Sequence, residues 1–303
     1  MTLRPAAVAT ALLASWPFGG AFAQDLEPRL YTNVPLGMNF LGAGYGYSEG
    51  NVLFDPAVAL ENAEIEIDGP VIGYGRSVRV GPFSGKVDGA IAHICLDGSA
   101  DYEGEHVTRN VCGWTDARAR ITVNFLGAPP LRRQEFASYR QDWVFGASLQ
   151  IGLPVGDYDP ARLVNIGANR VTSKVEIGVS KDLARWLLEV SLGETFYEDN
   201  TNFFGGRVRE QEPISSLQAH AVYRFGGGQW LALDATRYHG GRTSIGGTLN
   251  QDLQSNVRLG ATASLPINAK QSVKLAASTG VSTRTGTDFD TFVAIWQYVW
   301  GGR

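Results

Sequence analysis

After Ala23 the chain has no uninterrupted apolar run of the length, about 18 residues or more, that a membrane-crossing helix needs, which excludes a helical membrane protein. Cysteine is nearly absent: Cys95 and Cys112 are the only two, too few for a disulfide-dense scaffold. The four histidines, His93, His106, His220 and His239, form no compact Cys/His ligand motif. Charge is also sparse. Asp, Glu, Lys and Arg make up 18% of the chain, low for a soluble surface. The net charge of -4 carries no basic surplus for a nucleic-acid partner. What the chain does have is glycine, 37 residues, and aromatics, 11%.

The N-terminus sets a compartment. Arg4 precedes an apolar stretch from Ala6 to Trp16, and the small-residue site Ala21-Phe22-Ala23 follows. This reads as a secretory signal peptide over residues 1–23, with the mature chain, residues 24–303, beginning at Gln24. The apolar stretch is too short for a membrane anchor.

The dominant pattern has a period of two. From Asn256 to Leu265, Val257, Leu259, Ala261, Ala263 and Leu265 share one face, and Asn256, Arg258, Gly260, Thr262 and Ser264 the other. The next segment sets Val273, Leu275, Ala277 and Val281 against Lys274, Ser278, Gly280 and Ser282. The expected fold is all-β: an antiparallel up-and-down transmembrane β-barrel in a bacterial outer membrane, apolar towards lipid and polar towards a wet lumen. Strands are expected to start near Gly37, Ala63, Ser84, Cys112, Asp142, Thr172, Arg185, Ile214, Gln229, Gln254, Gln271 and Phe289. That makes about 12 strands, an even number as such barrels require. Tight connections such as Gly226-Gly227-Gly228 alternate with long polar ones: Gly50 to Asn62, Asp97 to Val111, Val155 to Arg170, Glu198 to Pro213, and His239 to Asp252. Short turns on one side and long external loops on the other are the expected asymmetry. The stretch from Ala128 to Gln141 departs from it, being long on the short-turn side, and is expected to hold a small helix. Phe125, Trp143, Trp186, Phe225, Trp230 and Trp300 mark one interface, and Tyr45, Tyr47, Tyr197, Phe204 and Tyr238 the other. Trp230 shares the inward parity of Asp234, so it needs either a bulge or a place in the lumen.

Long segments carry a family resemblance: Pro28 to Pro56 (PRLYTNVPLGMNFLGAGYGYSEGNVLFDP), Leu153 to Arg170 (LPVGDYDPARLVNIGANR), Glu176 to Trp186 (EIGVSKDLARW), Phe203 to Gln211 (FFGGRVREQ), Trp230 to Arg242 (WLALDATRYHGGR) and Gly280 to Trp300. On these the chain resembles the phenol meta-pathway (MetA-pathway of phenol degradation) outer-membrane family, described as transporter-like. The resemblance implies an outer-membrane barrel that passes small, often aromatic or hydrophobic, compounds. It hands over no catalytic residues. Gly301, Gly302 and Arg303 follow the last aromatic, whereas signals for the barrel-assembly machinery often end on the aromatic itself.

Chemistry is scarce. Cys95 and Cys112 flank the second external loop, and a disulfide closing it is expected in an oxidising periplasm. A zinc site from His93, Cys95, His106 and Cys112 is the alternative. Parity places Asp116, Arg118, Arg120, Lys174, Glu176, Glu189, Arg224, Asp234, Arg258 and Lys274 inward. They are either a selectivity lining or a network of ion pairs closing a narrow barrel. Acidic loop residues, Asp97, Asp101, Glu103 and Glu105, then Asp157 and Asp159, either bridge lipopolysaccharide through divalent cations or form a solvated surface. Gly73-Tyr74-Gly75 lies in a strand with no helix after it, so it is no nucleotide loop. No cofactor is expected. The expected partners are outer-membrane lipid, lipopolysaccharide, small-molecule solutes and the assembly machinery. The favoured function is a channel or transporter. A plugged structural or adhesive barrel comes next, then an outer-membrane lipase, for which no Ser-His-acid set is identifiable.

Overall fold

The computed structural model describes residues 27–53, 60–102, 104–282 and 286–302. The expected leader and cleavage site, Gln24 and Glu103 lie outside them. The elements in chain order are β1 (Met38–Leu53), β2 (Leu60–Val80), β3 (Phe83–Tyr102), β4 (Glu105–Trp114), β5 (Ala117–Leu126), α1 (Arg133–Phe136), β6 (Trp143–Leu153), β7 (Thr172–Leu183), β8 (Trp186–Tyr197), β9 (Asn200–Phe203), β10 (Arg207–Gln211), β11 (Ile214–Gly226), β12 (Gln229–Gly240), β13 (Thr243–Ile245), β14 (Thr248–Leu249), β15 (Gln254–Asn268), β16 (Gln271–Ser282) and β17 (Gly286–Gly301).

The barrel strands pair antiparallel in chain order, with β8 next to β11 and β12 next to β15, and β1 pairs with both β2 and β17, from Met38↔Gly301 to Leu53↔Gly286, which closes the sheet. β3 pairs with β4 along its outer part and with β5 along its inner part, so β4 and β5 fill one place in a 12-stranded barrel. The break between them is at Thr115-Asp116. Asp157, from the β6–β7 connection, enters there, its carboxylate accepting from the Trp114 amide at 2.7 Å and its own amide donating to the Trp114 carbonyl at 2.8 Å.

Closure pairs β1 with both β2 and β17, and the side chains sort as in a barrel solvated by lipid. Ile177, Leu192 and Leu233 on the outer face are more than half exposed, while Thr122, Ser180, Thr262 and Ser264 on the inner face are fully buried. The β11–β12 turn needs Gly226, Gly227 and Gly228, whose φ values of 99°, 62° and 88° are costly for any side chain.

Three expectations are corrected. First, Asp97 to Val111 is no loop. β3 and β4 continue outward as a hairpin, because Asp97↔Asn110 and Ser99↔Thr108 keep pairing beyond the membrane. Much of Gly50 to Asn62 likewise extends β1 and β2, and Glu198 to Pro213 and His239 to Asp252 build a small sheet in the order β14-β13-β10-β9. Polarity marks where a strand leaves lipid, not where it stops pairing. Second, Tyr197 and Tyr238 carry inward parity on β8 and β12, so they do not belong to the outer belt. Third, the lumen is not polar all round. Phe40, Val71, Ala90, Ala92, Ile94, Val293, Ile295 and Val299 form an apolar inner wall on β1, β2, β3 and β17.

Candidate functional site in the barrel lumen

The charged residues of the lumen converge on a piece of the chain itself. Residues 27–36 precede β1 and run inside the barrel. Two prolines, Pro28 and Pro35, lack the amide a ladder strand needs, so this segment cannot join the sheet as a regular strand. It is bound through side chains of the wall instead.

Glu27 is the outermost anchor. Its carboxylate pairs with Arg118 at 3.5 Å and with Arg120, all three side chains being buried. Arg120 also forks onto Asp88, through Nη2 at 3.1 Å and Nε at 3.3 Å. Such charge-assisted forks fix geometry as well as charge. Arg29 stacks over Trp230 at 5.4 Å, and Trp230 is a buried lumen residue with no bulge required. At Leu30 and Tyr31 the two backbone amides donate to the two oxygens of Glu189, at 3.0 and 3.1 Å. The Leu30 carbonyl accepts from Lys86, and the Tyr31 carbonyl accepts from Ser180 at 2.9 Å. The Tyr31 hydroxyl donates to Glu176 at 2.9 Å, and Lys174 pairs with the other Glu176 oxygen at 2.7 Å.

Tyr31 is wholly buried, and two glycines make room for it. A Cβ on Gly146 or on Gly178 would overlap its ring. The long inner connection between β5 and β6 holds the lower part of the segment. Asn33 donates to the Pro129 carbonyl at 3.0 Å and its amide to Gln141 at 3.1 Å, and the Leu36 amide donates to the Leu131 carbonyl at 2.9 Å. α1 is the short helix of this connection.

The remaining inward candidates serve other contacts. Asp234 accepts from His220 at 2.7 Å and from Thr262 at 2.9 Å. Arg258 donates to Ser278 at 2.8 Å, and Lys274 is buried on β16. Arg224 sits at the inner rim and forks onto Asp182 of the β7–β8 turn at 2.6 and 2.7 Å. Asp116 accepts from the amides of Gly156 and Ala168 at 3.0 and 2.9 Å, so it ties down the β6–β7 connection. Cys95 and Cys112 are register partners on the outer face of the β3–β4 hairpin and are joined as a disulfide. Both sulfurs are thereby used. His93 packs edge-on against Trp114, and His106 meets Asp101 at 3.2 Å.

Parity reasoning missed Glu27, Tyr31, Lys86 and Asp88. Lys86 and Asp88 share the inward face of β3 with Ala90, so alternation could have found them. Glu27 and Tyr31 lie in no strand, and no periodic signal marks them.

Solved structures share this architecture. An outer membrane channel of the COG4313 group from Pseudomonas putida F1 aligns with a TM-score of 0.74 at 16% identity, covering 91% of this chain and 100% of that one. The β domain of the Bordetella autotransporter BrkA aligns at 0.53 with 11% identity, covering 87% and 100%. The transport unit of the autotransporter AIDA-I from Escherichia coli aligns at 0.52 with 10% identity, covering 91% and 93%. At these identities the likeness is one of fold. No curated protein matches. Sequence carries the assignment further, because a family model spans residues 99–294, from the outer hairpin into the last strand: the chain belongs to the family described as "Putative MetA-pathway of phenol degradation".

Proposed function

We propose that the protein is an outer-membrane channel for small solutes whose resting path is filled by residues 27–36. The carrying observation is the way that segment is held. Its contacts to Arg118, Arg120, Glu176 and Glu189 are polar, while Val34 packs into the apolar cluster on β1, β2, β3 and β17. Polar contacts of this kind can be exchanged for water when the segment leaves, against the cost of uncovering Val34 and the wall residues that it packs on. The apolar wall suits solutes with an aromatic or hydrophobic body. The likeness in fold to an outer membrane channel from Pseudomonas putida F1 supports the same reading.

Export by the leader, with Gln24 as the first mature residue, belongs to the proposal, as do insertion by the barrel-assembly machinery and contact with lipopolysaccharide. The outer-facing rings of Trp143, Trp186 and Phe225, each more than 40% exposed, support contact with lipid headgroups. A second reading, a permanently plugged structural barrel, rests on the burial of Tyr31 and Glu27 among their polar partners. A lipase finds no support, since His220 and Asp234 are buried inside the lumen rather than set at the outer leaflet.

Planar-bilayer recording decides between the two. The mature protein is expected to conduct weakly, and a version lacking residues 24–36 to conduct steadily. No conductance from either, with the barrel folded, would establish the plugged structural barrel.

A further inference from the structure

Above the lumen, outside the contacts just described, Arg170 and Arg209 lie close together, with nearby carboxylates but no direct ion pair among the described residues. Arg170 closes the β6–β7 connection and is 9% exposed. Its guanidinium lies over the ring of Tyr197 at 4.7 Å. One terminal nitrogen donates to Gln211, and the other, Nη1, is buried without a partner. Arg209 lies on β10 two residues before Gln211, so both side chains leave the same face of that strand. Its guanidinium lies over Phe203 at 5.3 Å, and its Nε is likewise buried and unpartnered. Among the described residues no ion pair joins either arginine to a carboxylate. Burial and the adjacent Arg209 bring Arg170 down to about 10, which still leaves it charged at neutral pH.

A buried guanidinium with an idle N–H is costly, and an anion removes the cost. The surroundings choose the anion. Both oxygens of Asp252, near Arg209, are taken by Thr243 at 2.7 and 2.8 Å, and exposed Asp199 lies near Arg170. Asp252 and Asp199 balance the two arginines in formal charge, so the idle N–H groups suit one negative charge rather than two. With rings stacked on the guanidinium planes, Arg170 Nη1 and Arg209 Nε are the idle donors, one for each oxygen of a carboxylate. The place also connects to the lumen. Tyr197 pairs with Thr172, and the next inward pair is Lys174 with Thr195.

We propose that Arg170 and Arg209 form a subsite for a monoanionic aromatic carboxylate at the outer mouth of the lumen. This deepens the channel reading and rests on it for its physiological sense, though binding itself does not require conduction.

The test is calorimetric titration of the full mature protein in detergent with sodium benzoate, benzyl alcohol and inorganic phosphate. Benzoate is expected to bind saturably, with benzyl alcohol and phosphate at least about tenfold weaker. Arg170→Gln with Arg209→Gln should weaken benzoate about tenfold or more, and Arg170→Lys by less, since it keeps charge but loses the fork. Folding of each variant is checked by its heat-modifiable gel migration. Absence of saturable benzoate binding to the wild type overturns the proposal. So does phosphate binding more tightly than benzoate, or equal benzoate binding by the folded double variant. Wild-type binding against benzyl alcohol decides the matter even if no variant folds. Benzoate binding by a barrel that never conducts would refute the channel and leave the subsite standing.

Discussion

Tyr31 carries the closure of the lumen at the level of single residues. Its ring occupies space that exists only because residues 146 and 178 have no Cβ. Gly178→Ala should therefore displace the ring while leaving the β6–β7 pairing intact, since Gly178 has ordinary strand geometry. The expected outcome is a higher open probability in planar bilayers with unchanged heat-modifiable migration. Unchanged gating would mean that Tyr31 does not block the path. Glu189 accepts two backbone amides at once, and Glu189→Ala strands both, at about 1–3 kcal/mol for each buried donor left unmet. Faster trypsin cleavage after Arg29 would report the loosening. Arg118→Ala with Arg120→Ala removes two lumen cations and the partners of Glu27 together. Reversal potentials in a salt gradient should shift towards cation selectivity. Ile121→Ala with Val123→Ala, on the lipid-facing side of the same strand, should leave selectivity alone and lower stability.

At the scale of elements, β3 and β4 outgrow the membrane and stand out as a hairpin, pinned by Cys95 and Cys112. The sequence separation of 17 residues corresponds to roughly 3 kcal/mol of loop-closure stabilisation. Cys95→Ser with Cys112→Ser should make this hairpin more sensitive to proteases without changing conductance, because the barrel below it closes through other pairs. Equal protease resistance would show that strand pairing alone holds it. The β5–β6 connection is the other element with a clear task. Its length, anomalous for an inner turn, is explained by the carbonyls of Pro129 and Leu131 and the side chain of Gln141, which hold Asn33 and Leu36.

For the molecule as a whole, the barrel is a closed wall around an asymmetric lumen, with a large apolar cluster on β17 and β1 to β3 and a mostly polar lining from β5 to β16, interrupted by Leu187, Val222, Trp230 and Ala232. The mature protein should begin at Gln24 and fractionate with the outer membrane. Edman sequencing that finds an intact Met1, or recovery in the soluble periplasm, would contradict this. The fold was legible because a barrel strand faces two solvents at once. Val257 to Leu265 against Asn256 to Ser264 records lipid and lumen residue by residue, and tight turns such as Gly226 to Gly228 punctuate it. The inward positions of Arg118, Glu176 and Asp234 followed from the same alternation.

Other features left no such trace. Where both faces of a strand are apolar, as along Ala90 to Leu96, alternation cannot say what the lumen-side residues meet, and the apolar inner wall emerges only on closure. The same is true of what the lumen charges hold. Glu27 lies 91 residues from Arg118 and Tyr31 lies 158 from Glu189, and nothing local links them. The sequence by itself determined strand number, facing and compartment, because those depend on near neighbours and on the surrounding solvent. Only the tertiary structure decided that an N-terminal segment fills the lumen, because that depends on which distant side chains a closed wall brings to one point.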